Sequence, residues 1–71
     1  MSFLYIDLLI DNGEIIRIEY KDKYMDEFTE HLDNCIKRKD RWSASTYEGT
    51  KAEYMGIRIE SVNTSKVVGI L

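Results

Sequence analysis

Between Phe3 and Ile10 the chain alternates, with Leu4, Ile6, Leu8 and Ile10 on one side of an extended strand and Phe3, Tyr5, Asp7 and Leu9 on the other. Ile16, Ile18 and Tyr20 resume the pattern after Asp11-Asn12-Gly13, which predicts a β-hairpin. Loop length decides its register. A two-residue Asn12-Gly13 turn would set Leu8 against Arg17 and Ile6 against Glu19, mixing charge into the apolar row. A three-residue loop with Gly13 in the left-handed region sets Leu8 against Ile16 and Ile6 against Ile18, and this register is expected.

Helical spacing follows. Asp22 is a candidate N-cap, and Met25, Phe28, Leu32 and Ile36 then recur on one face, with Cys35 flanking the stripe. Asp26, Glu27 and Glu30 come early and Lys37, Arg38 and Lys39 late, an order that suits the helix dipole at both ends. The helix is expected to stop near Lys39 or Asp40. From Trp42 the pattern predicts a third strand, with Trp42, Ala44 and Thr46 alternating against Ser43, Ser45 and Tyr47 up to a turn at Glu48-Gly49-Thr50. Met55, Ile57 and Ile59 predict a fourth strand, Asn63-Thr64-Ser65 a turn, and Val67 to Leu71 a fifth strand weakened by Gly69. The order β-β-α-β-β-β with one amphipathic helix predicts a two-layer α+β fold, the helix covering one face of an antiparallel sheet.

At 71 residues the chain holds a single domain over residues 1–71, close to the size at which one core is only just sufficient. Hydrophobic content of 44%, charged content of 32% and no proline describe a folded chain rather than a disordered one. The apolar runs are too short for a membrane span or a secretory leader, and Cys35 is the only cysteine, so a cytoplasmic setting is expected. The formal net charge of −3 lies entirely in Met1 to Tyr20, where Asp7, Asp11, Glu14 and Glu19 face a single cation, Arg17. That is not the broad positive field of a nucleic-acid binder.

No motif ties the chain to a family, and none assembles chemistry. Glu27, His31 and Cys35 stand one helical turn apart, but no second His or Cys completes a tight zinc set, so neither a metal nor a cofactor is implied. There is no phosphate loop, metalloprotease pair or nucleophile elbow, and a non-enzymatic protein is expected. Lys37, Arg38, Lys39 and Arg41 beside Trp42 form the one basic cluster with an aromatic neighbour. With Tyr5, Tyr47 and Tyr54 as stacking platforms they would make a single-stranded nucleic-acid binder, the competing class. The helix dipole by itself accounts for cations there.

The outer sheet face is more informative. Phe3, Tyr5, Asp7, Leu9, Ile15, Arg17 and Glu19 point there from the first hairpin; if Trp42 aligns with Met55 in a second hairpin, Tyr47, Tyr54, Arg58 and Glu60 join them. An aromatic patch rimmed by charge is the anatomy of a protein interface. The expected function is therefore a regulatory or inhibitory interaction module, binding itself as a homo-oligomer or another protein through the outer face or an edge strand.

Overall fold

The computed structural model describes residues 2–71. The opening alternation becomes strands β1 (Phe3–Ile10) and β2 (Ile15–Lys21), antiparallel, with Ile6 opposite Ile18 and Leu8 opposite Ile16. The loop has three residues: the Ile10 N–H donates to the Glu14 carbonyl at 3.0 Å, the Gly13 N–H donates to the Ile10 carbonyl at 3.0 Å, and Gly13 sits at φ 87°. Asn12 braces it, its side-chain oxygen accepting from the Glu14 N–H at 2.9 Å.

A 3-10 turn at Asp22–Tyr24 leads into helix α1 (Met25–Arg38). Asp22 is not the N-cap: it lies inside the turn, no side chain caps the helix, and the Asp22 carbonyl accepts from the Met25 N–H. Phe28, Leu32 and Cys35 are buried and Ile36 is half-buried, whereas Met25 is exposed, so the buried stripe starts a turn later than its spacing predicts. The helix ends in a Schellman motif. Lys39 adopts the left-handed conformation at φ 59°, its N–H donates to the Ile36 carbonyl at 3.2 Å, and the Asp40 N–H donates to the Cys35 carbonyl at 3.0 Å. Buried Thr64 brings its hydroxyl against the Cys35 and Asp40 carbonyls, satisfying the helix end from the far side of the chain.

The second half is more broken than the alternation predicts. The strand expected from Trp42 to Tyr47 is only β3 (Arg41–Ser43), because Ala44–Thr46 form a 3-10 turn across which the Ser43 and Ser45 hydroxyls meet at 2.9 Å. Local hydroxyl bonds of this kind compete with a sheet ladder. The strand expected from Met55 to Glu60 shortens to β5 (Ile57–Ile59), and two strands not expected, β4 (Lys51–Tyr54) and β6 (Ser61–Asn63), flank it. Met55 and Gly56, read as strand, are a two-residue hairpin turn with φ 52° and 77°, the doubly left-handed geometry that matches strand twist. Trp42 consequently pairs with Val62, not Met55. A last 3-10 turn, Thr64–Lys66, falls on the expected Asn63-Thr64-Ser65 turn and delivers β7 (Val67–Ile70).

All pairings are antiparallel. The main sheet runs β5-β4-β2-β1-β7, and β3 and β6 form a separate ribbon. One helix on an antiparallel sheet makes this an α+β fold. The core joins Leu8, Ile10, Ile16, Ile18 and Tyr20 of the first hairpin to Phe28, Leu32 and Cys35 of α1, with Trp42 and Val62 from the ribbon and Ala52 from β4. Phe28 is its hub: it stacks on Tyr20 with ring centroids 4.3 Å apart and meets Trp42 at 5.7 Å and Tyr47 at 5.8 Å edge-on.

Replacing Phe28 with alanine is expected to cost about 3 to 5 kcal/mol, enough to unfold most of the population of a domain this small, as read by urea denaturation. An unchanged midpoint would refute its place as hub. Met55→Asn should act the other way. An asparagine before Gly56 tolerates the left-handed conformation that methionine resists, so a gain of roughly 0.5 to 1 kcal/mol is expected in the same assay.

Candidate functional site

Register determines what the outer sheet face offers. Asp7 lies opposite Arg17, Arg17 opposite Glu53 and Glu53 opposite Arg58, so one row crosses four strands with charges of alternating sign. The next row sets Tyr5 opposite Glu19 and Glu19 opposite Lys51. Arg17 grips Asp7 with two parallel bonds, Nε to Oδ1 at 2.8 Å and Nη2 to Oδ2 at 3.0 Å, and its guanidinium carbon stands 5.5 Å from the centre of the Tyr5 ring. These bonds hold the Asp7 carboxyl below its ordinary pKa and raise that of Arg17.

The expected aromatic patch is thereby divided. Phe3 and Tyr5 lie at one end of the hairpin and Leu9 and Ile15 at the other, with the Asp7–Arg17 pair between them. Arg58 is on this face as expected. Tyr54 is not: it stands opposite Ile16, on the core side of β4, half-buried, and its hydroxyl accepts from the Asn12 side-chain amide at 3.1 Å. Tyr47 is also elsewhere, between Tyr24 at 5.3 Å and His31 at 5.9 Å against the start of α1, with its hydroxyl donating to the Glu27 carbonyl at 3.3 Å. Tyr5, Tyr47 and Tyr54 therefore share no surface, and Trp42, the aromatic beside the basic cluster, is fully buried. Lys37, Arg38, Lys39 and Arg41 are exposed around the helix end; Lys37 pairs with Asp33 at 2.9 Å, and Arg41 donates to the Ser61 hydroxyl at 2.8 Å.

Elsewhere the helix carries little chemistry. Cys35 is buried, which raises its thiol pKa, His31 packs edge-on to Tyr47, and no cluster of three metal-capable side chains occurs among the described residues.

A different surface stands out, one to which sequence reasoning assigned no residues. Strand β7 closes one end of the main sheet, pairs only with β1 among the described residues and carries no charge. Val68, Ile70 and the following Leu71 are 63%, 51% and 68% exposed. The opposite edge, β5, is three residues long and bears Arg58, the usual protection against unwanted strand pairing. Beside β7 a groove of about 580 Å³ opens between sheet and helix, lined by Ile6, Ile70, Met25 and Leu32 and rimmed by Asp26, Glu30 and Asp33. The uncharged stretch from Val67 was the available sequence signal; its place at the sheet edge depends on pairing with β1 at the other end of the chain.

No protein family matches this chain, and neither does any curated protein or solved structure.

The Asp7–Arg17 pair yields a pH prediction. Because the folded carboxyl titrates below its unfolded value of about 4, its contribution is complete above that pH and is lost as pH falls through the folded value. Thermal melts of Asp7→Asn should therefore fall below those of the native chain at neutral pH and converge with them in strong acid. With the Arg17 side chain 60% exposed, solvent screening keeps that difference small.

Proposed function

We infer that this protein is a non-enzymatic, regulatory interaction module that docks a partner protein through the free edge of β7. One observation carries the reading: the sheet ends in an uncharged strand whose Val68 and Ile70 side chains are exposed and whose outer flank is unpaired among the described residues. The Leu71 N–H donates to the Asp7 carbonyl at 2.9 Å. Backbone groups alternate in direction along an antiparallel strand, so the N–H and carbonyl of Ile70 point away from β1, ready for a further strand. Strand addition draws affinity from such main-chain bonds and specificity from the side-chain pockets beside them.

The outer face supports this less strongly, since its charges already meet one another across the strands. A domain of this size bound along the edge of a larger protein acts by blocking or repositioning it, which is the inhibitory or regulatory role proposed. A reducing, cytoplasmic setting belongs to the same reading and is supported by the free, buried Cys35; no helix among the described residues is long and apolar enough to cross a membrane.

Affinity capture from the native host, with sedimentation of the purified chain alongside, tests the choice of surface. Val68→Lys combined with Ile70→Lys changes only exposed positions and is expected to leave the fold intact while abolishing retention of the partner. Tyr5→Glu, on the outer face, is expected to retain it. The opposite pattern would move the interface to the outer face.

A further inference from the structure

We propose that the segment β7 receives is an extended, lysine- or arginine-bearing strand of a different protein, with its cationic side chains lying along the groove beside α1 and ending at Asp26 and Glu30. This rests on the edge reading and specifies the partner's chemistry. A strand added to β7 continues the sheet, so every second side chain enters the space over Ile6, Met25 and Ile70. The lining there is aliphatic, but its helical wall is acidic. Asp33 is already paired with Lys37, whereas Asp26 and Glu30 have no ion-pair partner among the described residues. Lysine and arginine meet both conditions at once, since their methylene stems cover apolar surface while their heads reach the carboxylates.

A second copy of the chain fits less well. Two β7 strands paired antiparallel about a twofold axis place both α1 helices on the same face of the joined sheet. The Asp26 and Glu30 carboxylates of each copy then border one seam, and β7 brings no cation to either groove. The charge pattern selects a basic partner strand over self-association.

The test is a nuclear magnetic resonance titration of the isotope-labelled full chain with two short blocked peptides, one alternating valine with lysine and the other valine with glutamate. The lysine peptide is expected to shift amides of both β7 and the first turns of α1, to protect the Ile70 amide from exchange, and to weaken with added salt. The glutamate peptide should bind at least about tenfold more weakly, and Asp26→Asn with Glu30→Gln, both exposed positions, should remove most of that preference. If both peptides shift β7 equally and leave α1 unmoved, the edge reading survives and the basic-partner inference falls. If neither shifts β7, the edge reading itself is overturned. A chain that sediments as a dimer at micromolar concentration, with the Ile70 amide already protected, would make a second copy the occupant and overturn the inference.

Discussion

The three-residue loop at Gly13 sets the parity on which the rest of the sheet depends. It places even-numbered positions of β1 and β2 inward and odd-numbered ones outward, and pairing transmits that choice sideways. Ile18 sets the face of Ala52, Ala52 that of Ile59, and Leu8 that of Ile70. A slip of β2 by one residue against β1 would turn Arg17, Glu19 and the paired Glu53 toward Phe28 and expose Ile18, which is fully enclosed in the native register. The competing register is therefore excluded by the burial of charge as well as by turn geometry.

What could be read from the chain follows the range of the interactions involved. The first hairpin, α1 and the final strand rest on patterns a few residues long, and they were legible. The second half was not, for identifiable reasons. Met55, Ile57 and Ile59 alternate with Gly56 and Arg58 in a strand-like pattern that conceals the Met55-Gly56 turn, and a methionine at positive φ gives no compositional warning. Once that turn is moved, Trp42 changes partner to Val62 and Tyr54 changes face. Tyr47 left the expected face because its strand ended early, at Ser43. The edge and groove at β7 were harder still, since both are made by bringing the ends of the chain together beside a helix.

Charge shows the same division. The acidic surplus of the first twenty residues looks like a negative surface in the sequence, yet Glu19 stands opposite Lys51 and Asp7 is bound by Arg17. Folding cancels much of it across strands. Along α1 the charges separate: Asp26, Glu27 and Glu30, which have no ion-pair partner among the described residues, lie where the helix begins, while the cations of Lys37 to Arg41 surround its end. The molecule is thus electrically polarised along α1 to a degree that its small net charge conceals, and the negative pole lies beside the groove.

Strand β7 is attached on one flank only, and its pairing with β1 is interrupted by a register shift at Leu9 and Ile10. Strand β2, in contrast, is held on both flanks and roofed by the aromatic core. Local stability therefore falls across the sheet from β2 toward β7, and fraying of the outer strand leaves Phe28 and its neighbours undisturbed. The segment proposed to meet another chain is the one whose backbone can adjust at least cost, so that fit at that margin would be achieved by yielding, on a frame that does not yield.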